Sequence, residues 1–286
     1  LFVGIDIGGT KISIVFFKKN KIIKKIKLIT DTIYGPKNVK IIVQSLLIYK
    51  KNIKKIGIAT TGIIKNGKWS VLNKKTIGNF NNFPLVQYIK SRINKPVFAL
   101  GDTQSAALGE LKFGVGKRFS DFFYITISTG VGVSMVVNKR IFNEKAILAG
   151  AFGHMVIKKN GNPCGCGRTG CLEAYSSGIA IEKILRKLNK KNISSKQMFI
   201  NYKHTKWAKK IINEASSFIA EGIVNVNALT GIQNFIIGGS IGLSHDFFCG
   251  IIKNTRKISK RKIVIIKAGL KNDSEVFGCL ARSMKN

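Results

Sequence analysis

The sequence predicts an α/β protein built as two lobes of similar design, and three observations carry the prediction. Short apolar, β-branched runs alternate with segments of helical periodicity. A strand, a glycine turn and a second strand open the chain, and the same plan restarts near Ser120. The length of 286 residues lies between one large α/β domain and a pair of mid-sized ones. Hydrophobic residues make up 45% of the chain, enough for a full core without disulfide staples.

Taken in order, Leu1 to Ile7 reads as a buried strand that ends in Gly8-Gly9, and Ile12 to Phe17 as its return. Ile22 to Ile29 intersperses Ile with Lys, the composition of a half-exposed edge strand. Lys37 to Tyr49 carries Val39, Ile42, Val43 and Leu46 at helical spacing. Ile53 to Ala59 is a buried strand. Pro84 opens a helix with Val86, Ile89 and Ile93, since proline suits a first turn. Pro96 to Leu100 is a short strand, and Thr103 to Lys112 a helix rich in Ala, Leu and Glu. In the second half, Phe122–Ser128 and Val131–Val137 form the second strand–turn–strand unit. An irregular glycine- and cysteine-rich segment from Gly150 to Glu173 follows. Helices are predicted over Ile179–Leu188 and Trp207–Leu229, then a strand at Phe235–Ile237 ending in Gly238-Gly239. Leu243–Ile252, Lys262–Ile266 and Val276–Met284 complete the pattern.

Charge is the unusual property. Lys and Arg total 49 against 13 Asp and Glu, a formal charge of +36. Alone this points to nucleic acid or an anionic membrane surface. The excess consists of 41 Lys and 8 Arg, with 44 Ile, spread evenly along the chain. Nucleic-acid surfaces favour the planar fork of Arg, so compositional drift toward A/T-rich codons fits better. No run of 18 apolar residues exists, which excludes a transmembrane helix. The opening LFVGIDIGGTK lacks the profile of a signal peptide. Five Cys, three of them clustered, fit a reduced interior, so a soluble cytoplasmic protein is expected.

Four features carry chemistry. In Asp6-Ile7-Gly8-Gly9-Thr10-Lys11, two glycines after a buried strand allow a turn whose N–H groups can line a phosphate. With Gly4 the glycines mimic a Walker spacing, but Thr10-Lys11 reverses the required order and a strand follows, so a P-loop is rejected. Ser128-Thr129-Gly130-Val131-Gly132 occupies the equivalent turn of the second half, and Gly238-Gly239-Ser240 ends a further strand. Three such turns fit a nucleotide held between two lobes. His154, Cys164, Cys166 and Cys171 are three thiolates and one imidazole, the closed ligand set of a structural zinc, with Gly165, Gly167 and Gly170 allowing a tight wrap. Cys249 and Cys279 read as core. Asp102, at a strand-to-helix junction, fits an N-cap and a catalytic base equally well. Glu173 follows the last zinc ligand and would be held rigidly for substrate binding; Glu110 reads as a helix charge.

Together IDIGGTK, GDTQSAALGE, STGVG and GH…CGCGRTGCLEAYSSG make the chain resemble the ROK family of sugar kinases and sugar-responsive repressors, over nearly its whole length. The resemblance implies a two-lobed actin-like (ribonuclease H-like) sugar kinase fold with an interlobe cleft. Residues 1–112 would form a small lobe and residues 113–272 a large lobe with the zinc loop, while a C-terminal helix from about 273 to 286 packs back on the first. ATTGIIKNGK, FPLV, ISTGVG, CGCGRTGCLEA and IIGGSIGL are most similar to bacterial members that phosphorylate the 6-hydroxyl of N-acetylmannosamine with ATP in sialic acid breakdown. Kinases of glucose, fructose or N-acetylglucosamine, an inactive relative and a repressor are the alternatives. Family repressors carry a helix-turn-helix ahead of the sugar unit, for which a turn already at Asp6 leaves no room.

Residue by residue, the resemblance implies that Asp102 is the general base that accepts the sugar's 6-hydroxyl proton, with Gly101 beside it in the sugar site. His154 would bind zinc and face the sugar, and Glu173 would hold a sugar hydroxyl. Gly8, Gly9, Thr10 and Lys11, framed by Gly4, Ile5, Asp6 and Ile7, would form one nucleotide turn. Thr129, Gly130, Val131, Gly132 and Val133 would form the other, joined by Gly239. Asp6 would lie near the magnesium of MgATP, and Zn2+ would be structural. A homodimer with no membrane and no specific nucleic-acid partner is implied. Three positions depart from the family pattern: Gly101 replaces a usual Asn, Ala151 a common Glu, and Val133-Ser134 a more glycine-rich continuation. The first two remove groups that would hydrogen-bond the sugar.

Overall fold

The computed structural model describes residues 1–71, 77–142 and 151–284; Gly150 and residues 285–286 of the expected terminal helix lie outside them. The chain divides into two compact units. One holds Leu1–Lys117 and the terminal segment from Asp273, the other Arg118–Phe142 and the described residues up to Asn272. No helix among the described residues is long and apolar enough to cross a membrane.

The first unit is a five-stranded sheet in the order β3-β2-β1-β4-β7. Its strands are β1 (Phe2–Ile7), β2 (Lys11–Lys18), β3 (Lys21–Ile29), β4 (Lys55–Thr60) and β7 (Val97–Gly101). β1 runs antiparallel to β2 and parallel to β4, and β4 runs parallel to β7. The two-residue period of β1 sends Val3, Ile5 and Ile7 into a core with Ile12, Ile14 and Phe16. Against that core pack α1 (Gly35–Leu47), through Val39, Ile42 and Leu46, and α2 (Leu85–Ile93), through Leu85, Ile89 and Ile93. Burying each such Ile or Leu is worth about 1.5–3 kcal/mol. β3 is an edge strand with all four of its lysines exposed, as its composition predicts.

The opposite face of β1 meets the last helix, α8 (Ser274–Ser283), where Val15 and Phe17 pack on Val276 and Leu280. Gly4 permits this approach: a Cβ there would lie 3.0 Å from Val276 O. Asp6 shares that face, directly opposite Ser13 in the β1–β2 register. α8 also crosses α3 (Asp102–Lys112) at two glycines. A Cβ on Gly278 would fall 1.7 Å from Ser105 O, and one on Gly109 would fall 2.2 Å from Ser274 O. Gly278→Ala must therefore part the two helices, and overpacking of this kind costs about 1–3 kcal/mol. A lowered urea midpoint with an unchanged m-value is the expected result, and a midpoint equal to wild type would contradict the crossing.

Glu110 is corrected by this crossing. The sequence predicts no more than a helix charge here, yet Glu110 is fully buried. Its Oε2 accepts from Val115 N at 3.0 Å and its Oε1 from the Ser274 hydroxyl at 2.9 Å, so it stitches α3 to the following turn and to α8. Between β4 and α2 the structure also has a hairpin absent from the sequence prediction, β5 (Ile63–Lys65) and β6 (Lys68–Ser70). Its turn is Asn66-Gly67, both at positive φ, a two-residue hairpin signal hidden by the shortness of the strands.

The second unit repeats the plan in the order β10-β9-β8-β11-β12. β8 (Phe122–Ile127), β9 (Val131–Val137) and β10 (Arg140–Ile141) run antiparallel; β11 (Asn234–Gly238) and β12 (Val264–Lys267) add in parallel. Two sheets with the same order and the same strand senses are the duplication expected from the recurring strand–turn–strand pattern. Three further helices cover this sheet: α5 (Gly178–Lys187), α6 (Lys206–Thr230) and α7 (His245–Ile258). Ile181, Leu185, Ile212, Ile219, Phe247 and Ile251 pack from them on Phe123, Ile125 and Phe235. A four-residue helix, α4 (Glu173–Ser176), precedes α5; it starts at the last residue of the segment expected to be irregular and covers positions for which the sequence predicts no element. Cys279 is buried as expected, but Cys249 is exposed on α7. It stands two residues from both Phe247 and Ile251, which places it on the opposite side of the helix.

Candidate functional site

In the first unit the opening turn is a hairpin connection. Gly8 N donates to Lys11 O at 3.0 Å, and the Thr30 hydroxyl donates to Gly8 O at 2.8 Å. Gly8 and Gly9 are half-buried, while Thr10 and Lys11 are exposed. The turn therefore presents a small-residue backbone with a hydroxyl and an ammonium beside it. Gly4, Ile5 and Ile7 lie in the body of β1, and the Ile5 and Ile7 side chains belong wholly to the core.

Next to that turn the fold gathers three carboxyls: Asp6 near the end of β1, Asp102 at the start of α3, and Glu275 in the first turn of α8. Each is half-buried. Burial, then the charge of Asp102, pushes Asp6 up to about 7, against the pull of Lys11. Burial pushes Asp102 up to about 6, although its carboxylate accepts from Thr103 N at 2.7 Å. Burial and Asp6 raise Glu275 well above the usual carboxylate range. A carboxylate whose proton affinity lies near neutrality, at the C-terminal end of a parallel strand, is equipped to take a proton from a hydroxyl. Asp102 is the first residue of α3 and Gly101 the N-cap. A Cβ at Gly101 would meet only the Gln104 side chain, with Oε1 at 3.5 Å, so the backbone does not demand glycine there. Glu275 was missed by sequence reading. Its only local signal was acidity in a chain with 13 acidic residues.

In the second unit the turn at 128–132 is braced from several sides. Ser128 N donates to Gly130 O at 2.9 Å, while Gly178 N and Ile179 N, at the start of α5, donate to Ser128 O and Thr129 O. Val131 N donates to the Glu173 carboxylate at 2.9 Å. The Ser128 and Ser240 hydroxyls lie 3.0 Å apart, which brings the Gly238-Gly239-Ser240 turn against the same place. Gly239 has φ +81°, and a Cβ there would sit 2.3 Å from Ile127 O, so only glycine fits. Val131 and Val133 point their side chains into the core.

The donor atoms of His154, Cys164, Cys166 and Cys171 all lie within 4.8 Å of one another. Cys164 Sγ is 3.5 Å from His154 Nδ1, and Cys166 Sγ is 3.7 Å from Cys171 Sγ. Thiolates on one tetrahedral zinc sit about 3.8 Å apart, so the donor set fits that ion and leaves no open position. The wrap depends on glycine. Gly167 and Gly170 adopt φ +90° and +76°, and a Cβ on Gly170 would strike Lys158 O at 1.8 Å. Cys164 N donates to Arg168 O at 2.8 Å, closing the knuckle. His154 ends a short 3₁₀ turn, Phe152–His154, just after Ala151.

Known proteins resemble the chain throughout. Residues 2–283 match the family model described as ROK family. N-acetylmannosamine kinase of Pasteurella multocida (strain Pm70) is 32% identical over 244 residues, 85% of this chain and 82% of that protein. The protein of the same name from Haemophilus influenzae (strain PittGG) is 34% identical over 245 residues, 85% of this chain and 81% of its own. Among solved structures, a ROK family glucokinase from Streptomyces griseus, in complex with glucose and AMPPNP, superposes with a TM-score of 0.85 at 24% identity, over 99% of each chain.

Proposed function

The chain belongs to the ROK family, and on that premise we propose that it transfers the terminal phosphoryl group of ATP to the 6-hydroxyl of N-acetylmannosamine. The observation that carries the reading is identity of 32–34%, over 85% of the chain, to proteins named N-acetylmannosamine kinase. The raised proton affinity of Asp102 supplies the chemistry the reaction needs.

In this reading Asp102 accepts the proton of the sugar hydroxyl as the oxygen attacks in line. Glu173 and His154 hold sugar hydroxyls. The turns at 8–11 and 128–132 receive the nucleotide, each through peptide N–H groups, with Lys11 adding positive charge. The transition state for such a transfer is loose, so the protein contributes position and charge compensation more than covalent chemistry. Magnesium, when bound with ATP, would supply neutralisation of phosphate charge. Asp6 fits a place beside it, because the buried Ser13 hydroxyl across from Asp6 has no hydrogen-bond partner among the described residues, and magnesium keeps waters that such a group can hold. Zinc would be held by His154, Cys164, Cys166 and Cys171 and would supply structure alone, since its coordination is closed.

A sugar panel assayed with MgATP for release of ADP tests the reading. N-acetylmannosamine should give a kcat/KM above those of glucose, fructose and N-acetylglucosamine by roughly tenfold or more, the discrimination expected from one differently placed polar group. Turnover of glucose with none of N-acetylmannosamine would replace the sugar assignment with a glucokinase.

A further inference from the structure

We propose that Glu173 is a positioning residue that couples the cysteine-rich loop to the turn at 128–132, in addition to any contact it makes with sugar. The inference rests on the reading that this turn receives nucleotide phosphates. Glu173 lies two residues after Cys171, and its Oε2 accepts from Val131 N at 2.9 Å. A Cβ on Gly130 would stand 2.8 Å from that same oxygen, so the carboxylate is laid directly against the glycine. The segment carrying Glu173 is itself pinned: Leu172 N donates to Met155 O at 2.9 Å and Ala174 N to Cys171 O at 2.9 Å. Two backbone hydrogen bonds from the start of α5 continue the seam, Gly178 N donating to Ser128 O at 2.8 Å and Ile179 N to Thr129 O at 3.3 Å. From the other side, a Cβ on Gly153, one residue before His154, would meet Val131 O at 2.3 Å. Both arms of the metal-ligand set thus abut Val131.

The physical consequence is preorganisation. A phosphate turn works through N–H groups already aimed, and a glycine-rich backbone loses the most freedom when it is fixed. The charge-assisted bond from Glu173 fixes the peptide between Gly130 and Val131 before nucleotide arrives. The order imposed by the closed loop on residues 171–173 is thereby passed to the turn.

The test is calorimetric titration of MgATP, without sugar, into wild type, Glu173→Ala and Glu173→Gln. Glu173→Ala should weaken MgATP about tenfold, the scale of one lost charge-assisted hydrogen bond. Glu173→Gln keeps an amide oxygen able to accept from Val131 N and should recover most of that loss. Equal affinity in wild type and Glu173→Ala would overturn the coupling, whereas a wild type that binds no MgATP would overturn the nucleotide reading of the turn instead. Hydrogen exchange on wild type provides an arm independent of the variants. With chelator, under conditions where Phe235–Ile237 stays protected, the Val131 amide should exchange faster than in the zinc-loaded protein; identical protection would also overturn the coupling.

Discussion

Asp102→Asn should abolish phosphorylation while leaving the protein folded and somewhat more stable. Removing a general base costs about 10²–10⁴ in kcat, and the neutral amide cannot accept the proton of the sugar hydroxyl. It can still accept from Thr103 N, as the carboxylate does, so the start of α3 is kept. The opposite sign for stability follows from burial. A carboxyl raised to about 6 holds its proton more tightly folded than unfolded. Its contribution to stability is therefore complete below the unfolded value and is lost as pH rises through about 6. At pH 8 the wild type carries a poorly solvated charge that the amide lacks. After discounting for partial exposure, the variant gains roughly 1–2 kcal/mol, a gain that vanishes in acid. In the wild type, kcat/KM should fall as pH drops below about 6, because the base is then protonated. Activity of wild-type size in the variant would remove Asp102 from the chemistry. A variant less stable than wild type at pH 8 would refute the burial account.

The parts of this site that were legible in the sequence are those whose geometry is local. The three cysteines and His154 lie within an 18-residue stretch whose glycines permit a tight loop, and the donor atoms converge as the spacing suggested. The strand–glycine–strand turns are likewise short-range, with β-branched runs on either side. Glu275 was not legible, because its meaning depends on α8 crossing β1 at Gly4, a contact between the two ends of the chain. Within its own helix it is an ordinary acidic residue in a first turn, where the helix dipole favours one. Glu110 misled for the same reason. Periodicity cannot tell that Gly109 lets α8 close over it, making what reads as a helix charge a buried acceptor. Cys249 is a different failure, since its place opposite Phe247 and Ile251 was readable from spacing alone.

Metal removal should have the second large effect, on folding rather than on chemistry. Purified protein should contain about one zinc per chain, the stoichiometry of one closed site. Structural zinc in small modules contributes an apparent 10–16 kcal/mol of binding free energy at neutral pH. Here the loop is attached to a lobe with its own core, so chelation should cost only part of that sum, still enough to lower the unfolding temperature by many degrees. The cysteines should differ in rank. Cys171 is buried and Cys166 exposed. Cys171→Ser should lose metal and stability more completely than Cys166→Ser, because it leaves a hydroxyl buried away from water whereas the Cys166 position is exposed. Cys249→Ser, on the exposed side of α7, serves as the control and should keep both. The decisive comparison is zinc content against thermal midpoint across the three variants. The two should fall together in the loop variants and stay at wild-type values in Cys249→Ser. A protein purified metal-free with an unchanged midpoint would show that the loop holds its shape through glycine turns and hydrogen bonds alone.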